Sequence, residues 1–398
     1  MSVDLRTRWD ADVTPVEAAT FFEIDWPAAV ERRPDLVEIS SGIRLRPLRV
    51  EVDGRSWVLD RDAQGIPRAM AGDEAQLTLR LTADQLADLV DDQITPVGLM
   101  TAGTLELEPM RIGGLMDWWL VLRSLLDERP IHTPGAIDLP DELGRSFSLD
   151  DDPAVLRAYL EAAGYLHLQG VFTPDEMQRI SNDMDAAEPE YTDGDGHSWW
   201  ATLADGRRRV VRMQQFEDRS PTTAALLEDE RLLALGRLPD CGHTVDWGRR
   251  NRVEALFKPL GVAQGISDVP WHKDCSLGRH SYECCSLTIG ISVTGAGPTS
   301  GQLRVIPGSH RALVWPSLFD ASDLDLPDLA LATETGDVTV HLSCTLHMAQ
   351  PPTEHERKVL YTGYRLPPRD SDAADAGRRR LRKSRESAPL TTSQVAAG

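Results

Sequence analysis

Positive charge is in short supply in this chain. Against 63 Asp and Glu it carries 42 Lys and Arg, a formal net charge of -21. An acidic surface would therefore have to be overcome before any local basic patch could engage a phosphate backbone, and nucleic acid is not an expected partner. Cysteine is scarce as well. Cys241, Cys275, Cys284, Cys285 and Cys344 contain no CxxC and form no paired framework, which excludes a disulfide scaffold and predicts a reduced, intracellular setting. Long apolar runs are missing too: none approaches the length that spans a bilayer. The opening MSVDLRTRWDADVTP mixes charges where a secretory leader needs an apolar core, so a cytoplasmic protein is expected. What is present is an ordinary globular composition, 41% hydrophobic, over 398 residues, which exceeds the usual single domain and predicts two.

Residues 43–52 (IRLRPLRVEV) and 77–81 (LTLRL) alternate apolar with polar, the period of half-buried strands. Thr82 to Gln85 is a capping-box pattern, and Leu86, Leu89 and Val90 follow at helical spacing. Residues 103–108 (GTLELE) read as another strand. Leu115, Trp118, Trp119, Leu122 and Leu126 then share one helix face. Residues 1–130 thus predict an α+β unit, and 131–152, aperiodic and proline-bearing, a linker. The second unit, 153–368, opens with a helix capped by Asp152 and Pro153 and closed by Gly164. A strand from Tyr165 to Val171 follows, then a second capping box at Thr173 and Glu176. From residue 250 onward, short apolar runs separated by Gly/Pro turns predict a jelly-roll or related barrel with flanking helices. Residues 369–398, rich in Arg, Asp, Ser and Ala, predict a disordered tail.

The chemistry concentrates in Trp271-His272-Lys273-Asp274. On an extended strand, residues two apart share a face, so His272 and Asp274 can offer an imidazole and a carboxylate to one metal ion, and a distant histidine can complete the set. Two histidines and one carboxylate with open positions suit non-heme iron(II). His341, His347 and His310 compete for the third place, while His280 and His355 read as loop residues. An isolated His-X-Asp usually serves packing, so the surroundings must decide.

Those surroundings are AAGYLHLQGVF at 162–172, KPLG at 258–261, GQLRVIPGSHR at 301–311, Gly336-Asp337, Leu346-His347 and Arg357. Their order resembles the phytanoyl-CoA dioxygenase family of iron(II)- and 2-oxoglutarate-dependent oxygenases, over about residues 155–367. The resemblance implies a double-stranded β-helix of the cupin type, with His272, Asp274 and His347 on iron. It also implies Arg357 on the distal carboxylate of 2-oxoglutarate, with Lys258 and Ser343 as further co-substrate contacts. It gives His347 the ligand slot and leaves His341 where the family usually has an apolar residue. Related halogenases have a small residue at the position of Asp274, so Asp274 points to oxygen insertion or oxidation. Trp271, Arg279, Tyr282 and Trp199 are candidates for the substrate pocket, Trp199-Trp200 following a Gly/Asp-rich loop.

Residues 1–130 resemble the sterol-carrier-protein-2-like fold, which encloses apolar ligands. Together these features predict a dioxygenase that uses iron(II), 2-oxoglutarate and dioxygen. It would hydroxylate a small or moderately hydrophobic, specialised-metabolite or lipid-like substrate with release of succinate and CO2. A desaturase or cyclising oxidase would use the same residues. A catalytically silent lipid-binding protein is the reading of a different class.

Overall fold

A computed structural model describes residues 14–365, except 71, 73, 102, 240–243, 246–252, 266–269, 278–285 and 318–323. The tail expected at 369–398 lies outside the described residues. In the first unit, β1 (Leu48–Val52), β2 (Arg55–Arg61), β3 (Pro67–Met70), β4 (Leu77–Leu81) and β5 (Glu106–Glu108) form one sheet in the order β3-β2-β1-β4-β5. Asp53 and Gly54, at φ 49° and 82°, make the tight turn that returns β2 antiparallel to β1. β4 lies parallel to β1, with Leu48 opposite Leu77. The expected period-2 pattern appears as alternating burial along both strands. Their apolar sides face the helix Ile112–Asp127, which buries Leu115, Trp118, Trp119 and Leu125 against them. Each such side chain contributes about 1.5–3 kcal/mol. The helix Ala83–Val90 carries the predicted capping box, Gln85 N to Thr82 Oγ1 at 3.2 Å and Thr82 N to Gln85 Oε1 at 2.8 Å. The expected strand at 43–52 begins only at Leu48, and the one at 103–108 shortens to Glu106–Glu108.

In the second unit, the helix Pro153–Ala163 starts at Asp152, whose Oδ1 accepts from Ala154 N at 2.8 Å, and ends at Gly164. The helix Pro174–Ala187 carries the second capping box, Thr173 with Glu176. The remaining strands are β6 (Tyr165–Leu168), β7 (Ser198–Leu203), β8 (Arg208–Met213), β9 (Thr244–Val245), β10 (Glu254–Lys258), β11 (Val262–Gln264), β12 (Leu287–Ser292), β13 (Leu303–Val305), β14 (Leu329–Leu331), β15 (Val338–Leu342), β16 (His347–Ala349) and β17 (Arg357–Arg365). A large antiparallel sheet runs β11-β7-β8-β10-β17-β12-β15-β6 with β9 beside β17, and a small antiparallel one runs β14-β13-β16. These large antiparallel sheets with flanking helices are consistent with the predicted barrel class.

Strand alternation then sorts the side chains of the large sheet. Ala255, Phe257, Leu287, Ile289, Ile291, Val338, Val340 and Leu360 belong to the core shared with Leu156, Leu160, Met177, Ile180 and Met184 of the two helices. The residues between them, Lys258, Thr288, Gly290, Ser292, Thr339, His341, Arg357 and Tyr361, therefore project from the opposite face. Apart from Thr288 and Tyr361, the polar members of this set are buried. A buried polar sheet face needs partners, and it is there that the site is built.

The two units are joined through residues 312–317. Ala312 and Val314 pack with Trp271, Ile306 and Leu346, whereas Leu313 belongs to the core of the first unit and Trp315 packs against it. Residues 131–152, expected as a linker, are laid along the second unit: Ile131 bridges Leu313, and Phe147 N donates to His167 O at 2.8 Å. Trp315 Nε1 donates to Asp117 Oδ1 at 3.2 Å. Burial pushes the Asp117 carboxyl up to about 6, against the opposing effects of that hydrogen bond and of Arg46. A carboxyl raised in the folded state favours the protonated form there, so its ionisation weakens the fold as pH rises toward and through about 6. Asp117→Asn keeps an acceptor for the indole without the charge. It is expected to raise the Tm by a few degrees above about pH 7 and to leave it unchanged near pH 4, read by thermal unfolding across that range. No described helix is long and apolar enough to cross a membrane.

Candidate metal centre

His272 and His347 are brought together by backbone pairing. His272 N donates to His347 O and His347 N to His272 O, both at 3.0 Å, across an antiparallel bridge. The ring centroids are 4.3 Å apart. Each ring is oriented by a carbonyl two residues back in the chain: His272 Nδ1 lies 2.7 Å from Pro270 O, and His347 Nδ1 lies 3.0 Å from Thr345 O. A carbonyl can only accept, so Nδ1 donates in both and Nε2 is the nitrogen turned toward Asp274, the arrangement a metal ligand needs. Those Nε2 atoms lie 3.3 Å and 3.6 Å from Asp274 Oδ1. The three side chains form a group with metal-ligating spacing, the only one among the described residues.

Asp274 sits on the 3-10 turn Asp274–Leu277 rather than on the extended strand that the spacing predicted. The convergence survives because the chain turns immediately after His272. Burial would raise the Asp274 carboxyl, but the facing imidazoles of His347, His272 and His341 outweigh it and hold it well below the usual carboxylate range. Burial lowers the His347 imidazole well below its ordinary value, helped by His341 and His272 and opposed by Asp274.

The expected Pro-Gly-Ser-His turn holds the strand before His347. Ser309 Oγ donates to Ile306 O at 2.6 Å and accepts from Leu346 N at 2.8 Å, and Val305 pairs with His347 in the sheet. Lys273, between two candidate ligands, is fully buried and donates from Nζ to Ser309 O at 2.8 Å and Ala312 O at 3.2 Å. The sequence did not single it out. His310 is a turn residue, as expected, with Nε2 2.9 Å from Glu161 O. The Gly336-Asp337 pair fastens the far end of β15. A Cβ on Gly336 would lie 2.0 Å from Phe172 O, and Asp337 accepts from Gly170 N and faces His167 Nε2, each at 2.9 Å.

Across the same sheet face, β17 begins with Arg357, paired directly with Lys258 of β10. Arg357 is 4% exposed, and neither its Nε nor its Nη2 finds an acceptor among the described residues. Lys258 is 2% exposed and donates to Gln350 O at 3.3 Å. A small cavity opens here, lined by Gly290, Ser292, Thr333, Thr339, Arg357 and Tyr361 among others. A Cβ on Gly290 would come within 2.8 Å of Thr339 Oγ1 and 3.0 Å of Tyr361 Cε1. The absence of a side chain at Gly290 keeps that part of the cavity clear.

Ser343 lies at the metal end, its Oγ 3.4 Å from Thr288 Oγ1, which in turn donates to Asp274 Oδ2 at 2.8 Å. Trp271 is 6% exposed and packs among Ile306, Ala312, Val314 and Leu346, which is core rather than pocket wall. Trp199 pairs with Arg212, whose guanidinium carbon lies 4.1 Å from the centre of its ring. Arg212 pairs with Leu256 and reaches Glu254 Oε2 at 3.0 Å, so Trp199 and Arg212 lie toward the edge of the polar face. Arg212 was missed. The run RRRVVRM at 207–213 has no clean alternation that could have placed it there. Arg279 and Tyr282 lie outside the described residues, as do Cys241, Cys284 and Cys285. The Sγ atoms of Cys275 and Cys344 are 3.2 Å apart beside the metal group.

Residues 160–359 match the family profile described as "Phytanoyl-CoA dioxygenase (PhyH)". The sterol-carrier resemblance of the first unit gains no support from this match, which begins beyond it. No curated protein matches the chain. Among solved structures, AviO1 from Streptomyces viridochromogenes Tue57 is 23% identical, with 54% of this chain and 96% of that one covered at a TM-score of 0.43. The epimerase SnoN in complex with Fe3+, alpha ketoglutarate and nogalamycin RO is 19% identical, covering 54% and 85% at 0.42. EctD from S. alaskensis with 2-oxoglutarate and 5-hydroxyectoine is 20% identical, covering 58% and 82% at 0.44.

Proposed function

The chain belongs to the phytanoyl-CoA dioxygenase (PhyH) family, and on that premise we propose that it hydroxylates a small or moderately hydrophobic metabolite. Iron would be held by His272, Asp274 and His347, and 2-oxoglutarate anchored by Arg357. The protein is an oxidoreductase of the iron(II)- and 2-oxoglutarate-dependent type. Bound iron with 2-oxoglutarate and dioxygen supplies the oxidising chemistry, with succinate and CO2 as co-products. The residues of the chain bind, orient and exclude water.

The observation that carries this reading is the state of Arg357. A buried guanidinium whose Nε and Nη2 find no acceptor among the described residues calls for an anion. A dicarboxylate answers both ends of the face at once, one carboxylate on the guanidinium and the 2-oxo acid on the metal group. Two imidazoles and one carboxylate leave room for such a chelate and for dioxygen. Lys258 adds positive charge beside Arg357, and Ser343 a hydroxyl at the metal end. Trp199 stays in the proposed substrate set; Trp271, set in the core, does not.

The test is anaerobic addition of iron(II) and then 2-oxoglutarate, followed by the weak visible charge-transfer band of the chelate. Wild type should show the band and form succinate with an accepted substrate. Arg357→Gln should bind metal normally but need roughly ten- to a hundredfold more 2-oxoglutarate, the worth of one charge-assisted bond. A wild type with no band, and no succinate across a substrate panel, would overturn the reading.

The first unit is proposed as a sterol-carrier-protein-2-like module. Its support is the order of elements, with β4 crossing over to lie parallel to β1, then two helices, β5 and a closing apolar helix.

A further inference from the structure

The two oxygens of Asp274 stand in different surroundings. Oδ1 faces the Nε2 atoms of His272 and His347 at 3.3 Å and 3.6 Å. Oδ2 accepts from the Thr288 hydroxyl at 2.8 Å and faces His341 Nε2 at 3.5 Å. Thr288 and His341 are direct partners across β12 and β15, so the sheet register itself brings both side chains to this one oxygen. His341 is 1% exposed, its ring centroid is 4.2 Å from that of His347, and neither of its ring nitrogens makes a hydrogen bond among the described residues. A buried imidazole without a partner is costly, so its nearest acceptor is where a role should be sought.

We infer that His341 is a positioning residue: its Nε2–H donates to Asp274 Oδ2 and, with Thr288, fixes the carboxylate so that only Oδ1 is offered to the metal. This rests on the proposed metal site. A carboxylate free to turn could offer both oxygens and occupy a position that co-substrate or dioxygen needs. Two donors from adjacent strands oppose that rotation more firmly than one hydroxyl, and a ring donor has fewer rotamers than an amide chain.

The test uses the full chain with cobalt(II) as the metal probe, read by calorimetric titration and by the visible absorption of the bound ion, with circular dichroism to check folding. His341→Phe fills the volume without a donor. It should weaken cobalt(II) binding on the order of tenfold to a hundredfold and change the visible spectrum. His341→Gln restores an N–H donor and should bring both back to within about threefold of wild type. Folded His341→Phe with wild-type affinity and spectrum would overturn the inference. So would His341→Gln as impaired as His341→Phe, which would mark the imidazole as a ligand or a shape element instead. If folded wild type takes up no cobalt(II), the metal reading itself fails, a result distinct from either.

Discussion

Replacing Asp274 by alanine is expected to lower affinity for iron(II) by more than about a hundredfold and to abolish succinate formation, with the fold intact. Asp274 is the one anion of the group. Without it His272, His347 and His341 face one another as neutral rings, and a dication placed among them has no countercharge in a largely buried setting. The cost to stability should be small, because the side chain is 32% exposed on a short turn and its main intramolecular bond is to the Thr288 hydroxyl. His347→Ala should empty the site as completely but cost more stability, since that ring is buried against His272 and His341. Anaerobic metal titration with circular dichroism separates the two effects. One iron(II) bound per chain at wild-type affinity in Asp274→Ala would remove Asp274 from the ligand set.

Much of this site was legible before the fold was known, for reasons that can be located. The capping boxes at Thr82 and Thr173 and the helix end at Gly164 are local: a hydroxyl, a carboxylate or amide three residues on, and a residue without Cβ suffice. His272, Asp274, His347 and Arg357 were singled out because a motif fixes their order; the His272–His347 bridge and the turn at Asp274 then group the first three, and Arg357 opens β17. The misses need information the local pattern does not hold. Strand β2 went unread although Asp53-Gly54 ahead of it is a turn signal, because Arg55 to Arg61 shows no clean alternation and its first residues are exposed. Lys273 went unread because its acceptors, the carbonyls of Ser309 and Ala312, lie some forty residues away. Trp271 looked like a pocket residue by adjacency to His272, yet neighbours on an extended chain point to opposite sides, and Trp271 points into core.

Deleting residues 1–130 is expected to impair the metal centre, not merely to remove an accessory module. Residues 312–317 are an extended segment with one face in each unit. Leu313, 2% exposed, sits in the core of the first unit with Trp315 packed beside it, while Ala312 and Val314 line the cluster around Trp271 and Leu346. The backbone of the same segment holds the ligand strand: Lys273 N donates to Pro316 O at 3.0 Å, His272 bridges Ser317, and Ser317 Oγ donates to Trp271 O at 2.8 Å. The short helix Pro96–Thr101 also packs against the turn Asp274–Leu277. Truncation would expose Leu313 and Trp315 to water at about 1.5–3 kcal/mol each and leave the ligand strand paired to an unsupported segment. The expected result is a soluble fraction with a markedly lower Tm and iron(II) affinity reduced by at least tenfold. In the full chain, Trp315→Ala should act in the same direction, costing up to about 3 kcal/mol and leaving Asp117 without its indole donor. If the truncated protein kept the Tm of its catalytic unit, its metal affinity and its turnover, the first unit would be a detachable appendage. If only the substrate range changed, with metal affinity preserved, the first unit would act on substrate delivery, and the support argued from residues 312–317 would fall.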